Sequence, residues 1–267
     1  MREYHVKQIA SLGRGLDVIV ALHRLGAATL HELWRETGIP KATLIRILQT
    51  AHDKGMVWQR LADGAFLPSR SLDRFREADD PGWLVETASP VMERLVGKTG
   101  WPSVLGVPRG TVLEIRETNS RRAVVDDVVF TGTPYRANIL RSASGRAYLG
   151  HCDPTRRDAI LARLRGDDNP GHALAHDEGG IEATVRAVRA RGYALRHPDF
   201  AGSYDLPRSV HDDGRQSLAV PIRRGYAIGT INITWRRVAM STQRAIGRHL
   251  GQLQDAAAEI EALAERR

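Results

Sequence analysis

The sequence predicts an α+β chain in two parts: three helices and a β-hairpin, then an antiparallel sheet flanked by helices. Three observations predict it. Apolar residues recur at helical spacing as far as Lys54, and a hairpin signal follows around Asp63-Gly64. A charge-dense stretch, residues 70–80, ends at Pro81-Gly82 and separates the parts. From Ser103 the apolar period changes to alternation, in two blocks separated and flanked by helical patterns.

Leu12, Leu16, Ile19 and Val20 mark a first, supporting helix over roughly residues 12–25. Thr29, followed three positions later by Glu32, is a capping box that satisfies the orphan amides of the next helix. Leu30, Leu33, Trp34 and Thr37 share one face of that helix. Gly38 can take the left-handed conformation that ends it, and Pro40 suits the first turn of the third helix. Leu44, Ile47, Leu48 and Ala51 form the third helix's buried stripe, and Gly55 stops it. Met56 to Gln59 and Ala65 to Leu67 flank the hairpin turn.

Two helices joined at Gly38-Ile39-Pro40, with cationic and hydroxyl side chains on the open face of the second, have the layout of a helix-turn-helix. Its second helix enters the DNA major groove. Three helices and a hairpin make the winged form. The expected DNA contacts are Arg14, then Lys41, Thr43, Ile45, Arg46 and Gln49 on the third helix, and Arg60 in the wing. Ile45 could meet a thymine methyl. The alternative is a small helical domain that packs against protein.

Length and charge bound the partners. The 267 residues suit two domains. The net charge of +8 and pI near 10.1 favour an anionic partner. Half of that excess falls in residues 1–75. Nearly all the cations are Arg rather than Lys, a bias that weakens inference from Arg count alone. One cysteine, Cys152, excludes an internal disulfide framework and fits a reducing cytoplasm. No apolar run is long enough to span a bilayer, and the N-terminus lacks a signal-peptide core. A soluble, cytoplasmic protein without membrane partners is expected.

In the second part, residues 70–80 read as an exposed linker with a short helix. A helix follows from about Trp83 to Lys98 with Leu84, Ala88, Val91 and Leu95 on one face; Pro90 should kink or restart it. Residues 103–107 and 111–117 alternate around a turn at Pro108-Arg109-Gly110, and residues 123–130 are rich in β-branched residues. A short helix opens near Ser142. Asp153-Pro154 caps a helix carrying Ile160, Leu161 and Leu164. Ile181, Val185 and Val188 mark another, ended by Gly192. Strand patterns return at residues 193–195, 217–222 and 227–234. Residues 242–265 close the chain as a helix, with Ile246, Leu250, Leu253 and Ile260 on the face that packs on the sheet.

Taken together, the chain resembles the IclR family of bacterial transcription regulators over nearly its whole length. The carriers are SLGRGLDVIVAL, TGIPKATLIRIL and Lys54-Gly55-Met56-Val57, then Ser142 to Ala147, Ala190-Arg191-Gly192-Tyr193 and Ser217 to Ile222. WPSVLGVPRGTVLEIRETNS and TPYRANILRSASGRAYL look like the branch that activates catabolism of hydroxyphenylpropionate-type aromatic acids. The family often has Ser where Ala42 stands and a polar residue where Ile45 stands, so contacts at those positions differ here.

The resemblance implies a winged helix over residues 1–69, a linker over 70–82 and a GAF-like effector and oligomerisation domain over 83–267. It implies a homodimer or homotetramer on a palindromic operator, with RNA polymerase as a further partner if the protein activates. It also implies a small organic acid effector and points to three segments: Ile139, Leu140, Arg141, Ala143 and Ser144 at a helix start, Ser217, and Asn232 with Thr234. The amides at Ala143 and Ser144 would meet a carboxylate. Asn232 and Thr234, two apart in a strand, face one side, and Ile231 and Ile233 the other.

Other chemistry is weakly signalled. Val96 to Thr99 ends like a phosphate-binding loop, but Met92 stands where its first glycine should be. His172 and His176 have a metal-ligand spacing only if helical; after Asn169-Pro170-Gly171 they read as exposed loop histidines. Ser144 and His197 are conceivable catalytic partners without a nameable third group. No catalytic residue, metal or cofactor is assigned. The competing function classes are a ligand-independent architectural or protein-interaction factor and a small-acid enzyme with a DNA-binding appendage.

Overall fold

The computed structural model describes residues 9–60, 63–69, 82–120, 135–202 and 206–266. The linker helix expected over residues 70–80 and the strand expected over 123–130 lie outside them. The chain divides into two compact units, Met1–Asp80 and Pro81–Arg267.

The first unit is α1 (Ala10–Leu25), α2 (Leu30–Thr37), α3 (Lys41–Asp53) and a hairpin of β1 (Val57–Gln59) with β2 (Phe66–Pro68). Local signals set its boundaries. Thr29 and Glu32 form the reciprocal capping box: the Thr29 amide donates to the Glu32 carboxylate at 2.7 Å, and the Glu32 amide to Thr29 Oγ1 at 3.3 Å. Gly38 ends α2 in the left-handed conformation (φ 67°). Val18, Ala21 and Leu22 of α1 bury against Leu33, Leu44, Leu48 and Ala51. Each of the larger side chains contributes about 1.5–3 kcal/mol by leaving water.

Two expectations fail here. Leu12, Leu16 and Val20 are 57%, 53% and 67% exposed, so α1 packs through the neighbouring face and leaves an apolar stripe outside. A 3.6-residue period identifies a helix but cannot choose between two adjacent apolar faces. Trp34 is likewise half exposed, its ring facing His31 and Lys41 rather than the core.

The second unit is one six-stranded sheet, ordered β5-β4-β3-β8-β7-β6, with every described pairing antiparallel. Its strands are β3 (Ser103–Arg109), β4 (Val112–Thr118), β5 (Tyr135–Asn138), β6 (Ala194–Leu195), β7 (Arg215–Arg224) and β8 (Tyr226–Arg236). The two strand blocks therefore join edge to edge, β3 to β8, instead of forming separate sheets. The β3–β4 turn lies at Gly110 and Thr111, not at Pro108 to Gly110: Pro108 pairs with Leu113 inside the ladder, beyond the stretch where β3 meets β8. The sequence signal did not identify β5.

Helices cover both faces. On one, α4 (Gly82–Thr99) and α8 (Thr242–Glu265) pack onto Leu105, Leu218, Val220, Ile231, Ile233 and Trp235. α4 runs as a single helix through Pro90. On the other lie α5 (Ala143–His151), α6 (Pro154–Arg165) and α7 (Glu178–Arg191). The segment holding His172 is a 3-10 helix, Pro170–His176, not a loop. His172 is buried, and its Nδ1 lies 3.3 Å from the Asp167 carboxylate. Among the described residues no group of acidic, His or Cys side chains is arranged to hold a metal ion.

Candidate functional site

Two surfaces gather the sequence-singled residues, one in each unit. In the first unit Leu44, Leu48 and Ala51 anchor α3, so Lys41, Ile45, Arg46 and Gln49 face outward and Thr43 is half buried. Arg14 of α1 shares a groove with Thr43 and Arg46 of α3. Arg46 has no acidic partner among the described residues. Lys41 is already placed: its ammonium lies 5.5 Å from the Trp34 ring centroid, a cation–π contact that holds the charge at the start of α3.

Two of the expected contacts are engaged within the protein. Gln49 Nε2 donates to Asp53 Oδ1 at 2.8 Å. Arg60 Nε donates to Asp63 Oδ1 at 2.9 Å, and a second bond from Nη2 makes the pair bidentate. That bond, with the Ala65 amide, holds the Asp63 carboxyl down at about 2. The wing guanidinium thus offers little net charge.

In the second unit a cavity of about 300 Å³ opens between β3, β4, β5, β7, β8, the start of α5 and the segment after β6. Its apolar wall is Val104, Ile115 and Ala137. Its polar wall is built in pairs. Asn232 Nδ2 donates to Ser144 Oγ at 2.9 Å, and its Oδ1 accepts from the Val104 amide at 3.3 Å. Ser217 and Thr234 hydroxyls share a bond of 2.8 Å across the β7–β8 ladder. All four side chains are buried, so this face is not simply solvated. Ser142 caps α5 by accepting from the Gly145 amide at 3.0 Å, which presents Ala143 and Ser144 at the cavity.

The structure separates the other expected residues from this cavity. Ile139 lies 1% exposed in the core under α5 and α7. Leu140 lines a different, smaller hollow with Arg146 and His197. Arg141 turns away, its Nη2 donating to the Pro170 carbonyl at 3.2 Å. Residues 139–141 form a turn rather than part of α5, so closeness in sequence to Ser144 does not place these side chains on the same cavity. The sequence missed Arg196, Phe200 and Asp213, which line the cavity from a segment without periodic signal. Ser144 and His197 line different hollows, so they do not form a catalytic pair.

No described helix is long and apolar enough to cross a membrane. The IclR helix-turn-helix domain model matches residues 11–60, the span of α1 through β1. The chain is 25% identical to the HTH-type transcriptional regulator BhcR of Paracoccus denitrificans over 239 residues, 88% of this chain and 81% of that one. Among solved structures, an IclR homolog from Microbacterium sp. strain HM58-2 superposes with a TM-score of 0.56 at 20% identity, covering 96% of this chain and 98% of that one. An IclR homolog from Microbacterium hydrocarbonoxydans complexed with 4-hydroxybenzoate gives a TM-score of 0.51 at 20% identity, covering 94% and 98%. A matched IclR helix-turn-helix domain in the first unit, a curated regulator similar over both units and the same fold in solved IclR homologs together make this chain an IclR-like protein: it carries the family's DNA-reading domain and the family's fold.

Proposed function

We propose that the protein is a one-component regulator in which residues 1–69 read a palindromic operator and residues 83–267 bind a small organic acid, with residues 70–82 as the linker. The observation that carries the reading is the cavity beside Ser144, Ser217, Asn232 and Thr234. It is a concave space with an apolar wall and a few convergent polar groups, near the lower end of the roughly 300–1,000 Å³ typical of ligand pockets. An aromatic acid fits that combination, and a solved relative is complexed with 4-hydroxybenzoate.

Reading a palindrome requires two copies of α3, hence at least a dimer. The exposed stripe Leu12, Leu16 and Val20 on α1 supports pairing through the first unit, because an apolar face of this kind is stabilised by being covered. The effector acts by binding DNA-competent and other states with different affinity, a coupling of about 1–3 kcal/mol. Thermal-shift measurements against aromatic and aliphatic acids, with and without operator DNA, test this. The expected result is stabilisation by a subset of acids, without turnover, whose size changes when operator is present. Stabilisation by no acid would remove the effector reading, and equal affinity for all DNA sequences would favour an architectural factor.

A further inference from the structure

Arg196 follows directly on β6 and is 9% exposed in the wall of the cavity. Its Nε donates to Ser217 Oγ at 3.0 Å, and its Nη1 donates to both Asp213 oxygens at 3.0 and 2.7 Å. Its guanidinium carbon lies 5.5 Å from the Phe200 ring centroid. Nη2 is not sealed in the interior and has no acceptor among the described residues. A guanidinium carries five donors in a rigid fork and binds carboxylates in its own plane. Here two of its three nitrogens are held by protein, so its orientation is set before any ligand arrives.

The same Arg196 connects to the polar wall. Ser217, which accepts from Arg196, bonds in turn to Thr234. The Asp213 carboxylate is tied to the backbone as well, its Oδ1 accepting from the Arg215 amide at 2.9 Å, while its own amide donates to the Ala201 carbonyl at 3.1 Å. Burial alone would raise this carboxyl, but the charge and hydrogen bond of Arg196 outweigh burial and hold it below the usual range, so it is an anion at neutral pH.

We infer that Arg196 determines the charge specificity of the cavity: it takes a monocarboxylate that lies on Nη2 beside Asp213, with the ligand's body against Val104, Ile115 and Ala137. A neutral amide of the same shape can offer Nη2 its carbonyl oxygen but not a negative charge, so it forgoes the charge-assisted bond. A dicarboxylate would bring a second negative charge against Asp213. Asp213 orients Arg196 but also competes for its charge, so removing the Asp213 charge should tighten carboxylate binding. The inference rests on the acid-effector reading above and adds the residue that recognises the acid.

The test is calorimetric titration of the full-length protein with shape-matched probes: benzoate against benzamide, and 3-phenylpropionate against 3-phenylpropionamide. The wild type should prefer at least one acid over its amide by tenfold or more. Arg196→Gln alone strands the Asp213 carboxylate and risks the fold, so the informative variant is Arg196→Gln with Asp213→Asn, checked by thermal melting. It should bring the acid's affinity down to that of the amide and leave the amide within about threefold. Asp213→Asn alone should tighten the acid severalfold. An acid preference that persists in the double variant overturns the role of Arg196 while leaving the effector reading intact. If Asp213→Asn weakens the acid, the arrangement beside Asp213 is wrong. If no acid binds the wild type better than its amide, both the inference and the acid-effector reading fall.

Discussion

Asn232 and Ser144, 88 residues apart in the chain, are joined by a bond of 2.9 Å that ties the middle of β8 to the first turn of α5. Asn232 also accepts from the Val104 amide, so one side chain links β8, β3 and α5 at the floor of the cavity. A buried amide in this position is favourable only while its bonds are made; each unmet group costs about 1–3 kcal/mol. The polar wall therefore supports the fold as well as lining the cavity.

Asn232→Leu with Thr234→Val should abolish the effector response while operator binding survives. Both changes are near-isosteric and leave the first unit, which carries α3, unaltered in sequence. Stability should fall by about 1–3 kcal/mol for each of the two groups left unmet, the Ser144 hydroxyl and the Val104 amide, while Ser217 keeps its bond from Arg196. Operator titrations with and without an effector acid check this, and an unchanged response would move the ligand elsewhere.

Gly145→Ala should be among the most damaging single changes in the second unit. A Cβ at Gly145 would stand 2.2 Å from the Ile139 carbonyl oxygen and 2.5 Å from its Cα. Backbone cannot yield as a flexible side chain can, so α5 must shift off the turn that precedes it. The expected loss is about 1–3 kcal/mol or more, read by urea denaturation, together with weaker acid binding because Ser144 moves with α5. A stable variant with wild-type acid affinity would show that the first turn of α5 is not held as described.

On α3, Arg46→Ala should weaken operator binding by about 1–3 kcal/mol with the fold intact. Lys41→Ala should lower affinity for all sequences and reduce the salt slope by about 1. Thr43→Val should mainly alter sequence preference. Binding isotherms over a salt series separate these roles. A Lys41 variant altered in specificity but not in salt dependence would reverse them.

Arg60 should matter less than its charge suggests. Its fork is filled by Asp63. Arg60→Ala is expected to change operator affinity by less than about 0.5 kcal/mol, within the range of ordinary surface substitutions. Asp63→Asn, which frees the guanidinium, should raise affinity for DNA of any sequence and steepen its salt dependence. A large loss in Arg60→Ala would mean that the pair opens on DNA.

Acidification should destabilise the second unit from about pH 6.5 downward. Burial, then the charges of Arg146 and Arg141, hold the His197 imidazole below its ordinary value of 6.5, and its Nδ1 accepts from the Asp199 amide at 3.2 Å. The unfolded chain therefore binds a proton that the folded chain resists. Stability is full above the unfolded value and is lost as pH falls from there through the folded value. His151, also lowered by burial, adds in the same direction. Melting temperatures between pH 7.5 and 5 should fall, with a shallower slope in His197→Gln. Equal slopes in the two proteins would exclude His197 as a source.

The sequence by itself determined what is decided within one turn of backbone. Thr29 with Glu32, Gly38, Asp153-Pro154 and Gly192 mark their helix ends because capping is a contact over a few residues. The two-residue period placed Asn232 and Thr234 together, opposite Ile231 and Ile233, because a strand has no other way to arrange them. Only the tertiary structure decided which apolar face of α1 is covered, since Leu12 and Leu22 are equally apolar and differ only in what packs on them. It alone decided that Lys41 lies against Trp34 and that Arg60 is occupied by Asp63. It separated Ile139, Leu140 and Arg141 from Ser144, their near neighbour in sequence. It brought in Arg196 and Asp213 from a segment with no period to read. A cavity is the space left between elements distant in the chain, so its lining follows from how those elements pack and not from local pattern.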